Sequence, residues 1–102
     1  TGQASGPVRL VCSADDYSKV QRGDILVTSV IDPGMAPLFG LASGIIAEMG
    51  GILSHGAIIA REYGIPAVVN IPDVTKLVKD GQMLLLDATV GHVSLLRRDH
   101  GP

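Results

Sequence analysis

Tryptophan is missing from this chain, and phenylalanine and cysteine occur once each. With aromatics at 3% and hydrophobic residues at 46%, the core has to be built from Ile, Leu, Val and Ala. A lone Cys12 excludes an internal disulfide, and it fits a reducing, cytoplasmic compartment. A formal charge of −2 leaves no basic footprint for nucleic acid. No apolar run reaches the length that spans a bilayer, and no signal-peptide pattern opens the chain, so no membrane partner is expected. There is no Gly-Lys-Ser/Thr loop and no serine-nucleophile elbow, hence no nucleotide site of the chain's own. His55, His92 and His100 lack a metal-ligand spacing and Cys12 is remote from them, so no metal site is expected. The 102 residues suffice for one domain with one core. A start at Thr1 without methionine is expected to mean an excised piece of a longer multidomain protein, with residues 1–102 as a single domain.

What is present reads as alternating strands and short helices. Val8–Cys12 alternates like a strand. Ser13–Gly23 is polar, with room for one helical turn after Asp15 and Asp16. Asp24–Ser29 is a second strand, Asp32-Pro33-Gly34 a loop, Met35–Ala42 a short helix, and Gly44–Glu48 a continuous apolar strand. Gly50-Gly51 breaks that strand. Ser54 can cap a helix running from about His55 to Tyr63, and Gly64 fits its stop position. Pro66 then opens the strand Ala67–Val69. Strand, helix and strand at this spacing predict a parallel βαβ unit. Asn70 is expected to take a left-handed conformation. Asp73–Val78 suggests another short helix and Asp80-Gly81 a turn. Met83–Asp87 and His92–Leu96 read as an antiparallel hairpin. The fold class is therefore mixed α/β, with a parallel βαβ core and antiparallel strands from the two chain ends.

The chemistry is concentrated in Gly50-Gly51-Ile52-Leu53-Ser54-His55-Gly56-Ala57. A histidine at a helix start sits in a positive field that keeps the imidazole neutral, with a lone pair free to attack. The same unpaired backbone N–H groups favour an arriving phosphate. Gly50 and Gly51 let the backbone approach closely because no Cβ intervenes. Ser54 and Arg61 are candidate phosphate contacts. His55 is thus a candidate phosphoryl carrier, since a phosphate on imidazole nitrogen is labile enough to be handed on. Plainer readings fit the same spacing. A lone histidine at a helix start is more often structural than catalytic, Ser54 can be only a cap, Arg61 can be a surface ion pair, and glycine pairs are usually turns.

The segment Gly50 to Val69 resembles the phosphohistidine signature of the PEP-utilising enzyme mobile domain. That family includes phosphoenolpyruvate synthase, pyruvate phosphate dikinase, enzyme I of the sugar phosphotransferase system and rifampin phosphotransferase. The resemblance extends to Gly6-Pro7-Val8, Gly23–Val27, Asp32-Pro33 and Asp80–Leu96. It implies a swivelling β/β/α three-layer domain in which His55 is phosphorylated and Gly50, Gly51, Ser54 and Arg61 surround the phosphate. It also implies an ATP-grasp nucleotide-binding domain and an acceptor-binding domain as partners, with ATP and Mg²⁺ bound there. The chain departs from the common pattern at Leu53, where enzyme I and the dikinase carry threonine, at Gly56, and at Asn70 and Ala88, which replace glycines. Its Leu-Ser-His-Gly-Ala version resembles that of rifampin phosphotransferase.

The expectation is a phosphoryl-carrier module of an ATP-dependent dikinase-type phosphotransferase, inactive in turnover without its partner domains. Two alternatives stay open. One is a non-catalytic docking or regulatory module of the same fold. The other is a swivelling domain of the aconitase type that binds substrate rather than phosphate.

Overall fold

The computed structural model describes residues 3–49, 62–87 and 92–96. Six strands, β1 (Gln3–Leu10), β2 (Ile25–Val30), β3 (Gly44–Met49), β4 (Ala67–Val68), β5 (Met83–Asp87) and β6 (His92–Leu96), form one sheet in the order β4-β3-β2-β1-β5-β6. The first four run parallel, and β1, β5 and β6 run antiparallel to one another in sequence. Two short helices, α1 (Ala36–Phe39) and α2 (Val74–Leu77), and two 3-10 turns, Ala14–Lys19 and Pro33–Met35, complete the described elements.

β1 joins the two halves. Its residues 3–7 pair with β5, while Val8, Arg9 and Leu10 pair with Ile25, Leu26 and Val27 of β2. The strand expected over Val8–Cys12 instead starts at Gln3 and ends at Leu10, and it takes in Gly6 and Pro7, residue types uncommon in strand interiors. Pro7 stands where the strand changes partner, so its missing N–H falls at a break in the ladder. A Cβ on Gly6 would collide with the Gly23 carbonyl oxygen, so the close approach there requires glycine.

The apolar run of β2 is buried on both sides, as expected of a central parallel strand. Leu26 faces one cluster with Ile45, Met35, Leu38 and Phe39. Ile25 and Val27 face a second cluster with Ile46, Val68, Val74, Leu84 and Leu86. The crossovers cover the first face. Tyr63, on the way into β4, meets Phe39 of α1 edge to face with centroids 5.6 Å apart. The second face is covered by α2 and by β5. A Cβ on Gly44 would lie 2.5 Å from Leu86 Cδ2. Gly44 is on β3, two strands from β1, so β5 reaches it only if the antiparallel half folds over the parallel half. Crossover elements, parallel sheet and antiparallel ribbon thus stack as the expected α, β and β layers.

The helix expected over Met35–Ala42 is shorter. Only Ala36–Phe39 is α-helical, because both Leu41 N–H and Ala42 N–H donate to the Leu38 carbonyl and close the chain into a turn. The strand expected at Ala67–Val69 pairs only over Ala67 and Val68. Asn70 is left-handed as expected (φ 65°), and so is Asp73 (φ 59°). Met83–Asp87 pairs antiparallel with His92–Leu96, as expected, with Met83 opposite Leu96 and Asp87 opposite His92.

Candidate functional site

In open α/β sheets ligands gather at the carboxyl ends of the parallel strands. Here β1, β2 and β3 end side by side, with Val30 of β2 opposite Met49 of β3. The next residue is Gly50. The expected glycine break, Ser54, His55 and Arg61 lie outside the described residues. What the structure does give is the two ends of that segment. It leaves from the carboxyl edge of the sheet at Met49, and the described chain resumes at Glu62 in helical conformation. Gly64 follows with φ 76°, the positive value that ends a helix at little cost to glycine. β3 and β4 pair in parallel, so the intervening chain has to return across the sheet.

Beside this exit lies a cleft of about 210 Å³ lined by Cys12, Ser13, Tyr17, Thr28, Ser29 and Asp32, among others. Asp32 Oδ1 accepts the Gly34 N–H at 2.8 Å, which holds the Asp32-Pro33-Gly34 bend. Burial first, and the Asp32 charge second, push the Tyr17 phenol above its ordinary pKa. Asp16 Oδ2 accepts the Cys12 and Ser13 N–H groups at 2.8 and 3.2 Å, and Lys19 pairs with its other oxygen at 3.2 Å. The Cys12 bond first, then the Lys19 bond, hold the Asp16 carboxyl below its ordinary pKa.

Two pairings at the ends of β3 and β2 were not foreseen. Glu48 Oε2 accepts the Thr75 N–H at 2.9 Å and also the Thr75 hydroxyl. These bonds, the hydroxyl's foremost, lower the Glu48 pKa against a smaller opposing effect of burial; Ser29 and Lys76 add to the lowering. At the opposite end of the sheet, buried Asp24 accepts Arg9 Nε at 3.0 Å and the Gln21 N–H at 2.9 Å. Arg9 and Asp24 are 15 residues apart and Glu48 and Thr75 27 apart, so no local spacing announces either pair. Among the described residues no three His, Cys, Asp or Glu side chains gather as metal ligands, and no helix is long and apolar enough to cross a membrane.

Comparison with known proteins supplies the relationship. Rifampicin phosphotransferase from Bacillus cereus is 45% identical over 96 residues, which is 94% of this chain and 11% of that protein. Phosphoenolpyruvate synthase from Aeropyrum pernix is 43% identical over 93 residues, 90% of this chain and again 11% of that protein. The chain therefore spans about a tenth of these relatives, which carry other domains. Among solved structures, an NMR structure of Enzyme I matches with a TM-score of 0.66 and 30% identity over 78% of this chain and 33% of that one. A UPF0107 protein matches with a TM-score of 0.64 at 21% identity, a likeness of fold alone. Residues 20–91 match the model of the PEP-utilising enzyme, mobile domain, and the chain belongs to that family of phosphotransferase domains.

Proposed function

We propose that this domain, residues 1–102, is the phosphoryl carrier of an ATP-dependent dikinase-type phosphotransferase, with His55 as the carrier residue. An imidazole nitrogen lone pair forms the N–P bond while the P–O bond to the departing nucleotide breaks. In the second step an acceptor oxygen attacks phosphorus and the N–P bond breaks, restoring the imidazole. Transfer of this kind depends chiefly on position and on neutralising charge. Gly50, Gly51, Ser54 and Arg61 are the residues assigned to holding the phosphate. ATP and Mg²⁺ belong to an ATP-grasp partner domain, and pyruvate or another acceptor to a second partner domain. The module has no turnover alone, and its compartment is the cytoplasm.

The observation that carries this reading is the place from which the His55 segment departs. Met49 ends β3 at the carboxyl edge of the parallel strands, and family membership covers that stretch. Its relatives include both rifampicin phosphotransferases and phosphoenolpyruvate synthases, so the acceptor is the open variable between them.

The test is labelling of the full-length parent with ATP carrying radioactive phosphoryl groups. The expected product is a phosphoprotein that loses label in acid, keeps it in alkali, and is absent in His55→Ala. Label that persists in His55→Ala refutes the assignment. A parent that turns over while this domain stays unlabelled assigns it a docking role instead.

A further inference from the structure

β3 has to deliver the chain to Gly50 at a defined point, and one side chain ties its end down from outside the sheet. Glu48 stands two residues before Gly50, and its carboxylate is bound by both polar groups of Thr75 on α2. The Thr75 N–H belongs to the first turn of α2, where backbone donors lack an internal partner. Asp73, at the N-cap position, has a left-handed backbone and makes no side-chain cap bond. Glu48 therefore supplies from β3 a capping acceptor that α2 does not supply for itself. Ile71 N–H also donates to the Ala47 carbonyl at 3.2 Å, so the turn before α2 holds the same end of β3 through its backbone. Ser29 on the neighbouring β2 and Lys76 of α2 are the other polar groups acting on this carboxylate.

We infer that Glu48, held by Thr75 N–H and hydroxyl, is a positioning residue for phosphoryl transfer: it fixes where the chain leaves β3 for the His55 segment. The inference rests on the carrier reading above. Glu48 touches no reacting atom in this scheme, so it acts only through the course of the backbone. Transfer needs the nucleophile in line with the phosphorus, and small displacements of position lower such rates strongly. A glutamine at position 48 keeps an oxygen that can accept from both Thr75 groups, whereas an alanine keeps none.

The experiment measures the rate of phosphoryl transfer from labelled ATP to His55 in the full-length parent, at saturating ATP. Glu48→Ala is expected to lower this rate about tenfold or more, with Glu48→Gln within about twofold of the parent. Thr75→Val, which keeps the N–H but loses the hydroxyl, should fall between them. The double variant Glu48→Ala/Thr75→Val should be no slower than Glu48→Ala, because both changes remove one interaction. Asp80→Ala is the control: it removes the acceptor for Leu10 N–H, at 2.7 Å, far along the chain from Gly50. Its labelling rate should stay at the parent's value. Equal rates in the parent and Glu48→Ala, or an equal fall in Asp80→Ala, overturn the positioning role. If Glu48→Ala does not fold, the order of Glu48→Gln and Thr75→Val decides: both at the parent rate overturns it. A parent that turns over without labelling at His55 overturns the carrier reading, a result distinct from all of these.

Discussion

The two halves of the sheet share β1 yet bury their side chains by different rules. In β2, the consecutive residues Ile25, Leu26 and Val27 are all fully buried, because crossover elements cover one face and the folded-over ribbon covers the other. In β5, burial alternates: Leu84 and Leu86 are fully buried, and Met83, Leu85 and Asp87, which alternate with them, are partly buried. Both strands are leucine-, isoleucine- or valine-rich, so hydrophobicity alone does not distinguish them. What distinguishes them is layer position. β2 is the middle of a three-layer stack, and β5 is an outer layer with one face on the core. The end of β3 at Met49, from which the proposed carrier segment departs, thus belongs to the part of the molecule that is packed from both sides.

An alanine scan along the two strands separates these rules most sharply. Ile25→Ala, Leu26→Ala, Leu84→Ala and Leu86→Ala should each cost about 2–5 kcal/mol, the range for deleting a buried aliphatic side chain. Leu85→Ala should cost about 1 kcal/mol, typical of a partly exposed position. Urea unfolding of the 102-residue chain measures both sets. A Leu85→Ala loss as large as that of Leu84→Ala would mean that β5 is covered on both faces, and the layer assignment would fail.

Two glycines test how the halves are joined, with effects of about 1–3 kcal/mol expected from overpacking. Gly6→Ala drives a Cβ into the Gly23 carbonyl oxygen, a backbone atom held by the turn at Gly23. Gly44→Ala meets Leu86 Cδ2 at 2.5 Å and the Pro66 carbonyl oxygen at 3.3 Å. A leucine methyl can swing aside, whereas a peptide carbonyl moves only with its chain. Gly6→Ala should therefore be the more damaging, although Gly44 lies in the doubly covered half. Trimming Leu86 to valine should relieve part of the Gly44→Ala strain and leave the Gly6→Ala cost unchanged. Simple additivity in the Gly44→Ala/Leu86→Val pair would break the claim that the ribbon packs on β3 there.

Much of this frame was legible because it is written in local pattern. The hairpin Met83–Asp87 with His92–Leu96, the parallel pairing of Gly44–Met49 with Ala67–Val68, and left-handed Asn70 all followed from run length, strand–helix–strand spacing and residue type. β1 departs from the expected Val8–Cys12 at both ends: it takes in Gly6 and Pro7, which the change of partner at Pro7 and the packing against Gly23 explain, and it stops at Leu10. α1 is shorter than the expected Met35–Ala42 because Gly40 ends it as the C-cap, and the turn forms through the shared Leu38 carbonyl. At the site, the expected glycine break, Ser54, His55 and Arg61 lie outside the described residues, and only the approach along β3 to Met49 is described. The Glu48–Thr75 and Arg9–Asp24 pairings were illegible, since each depends on the sheet and its crossovers bringing distant residues together.

The smallest expected effects are electrostatic, and they too fall on one side of the comparison. Asp16 and Tyr17 lie in the crossover between β1 and β2, and Glu48 lies on β3. The folded pKa values of Asp16 and Glu48 are lowered from 3.8 and 4.5, so the unfolded chain binds more protons in acid. Their stabilisation is complete above the unfolded values and is lost as the pH falls through the folded ones. Tyr17 has the opposite sign: its folded pKa is raised above 10.0. Its contribution is complete below the unfolded value and is lost as the pH climbs from there through the folded one. Stability measured against pH should decline at both ends. Glu48→Gln and Asp16→Asn should each flatten only the acid limb, and Tyr17→Phe only the alkaline limb. Screening by solvent keeps each change small, but the direction is fixed by the bonds. An acid limb that is as steep in Glu48→Gln as in the parent would show that the Thr75 bonds do not lower the Glu48 pKa in solution.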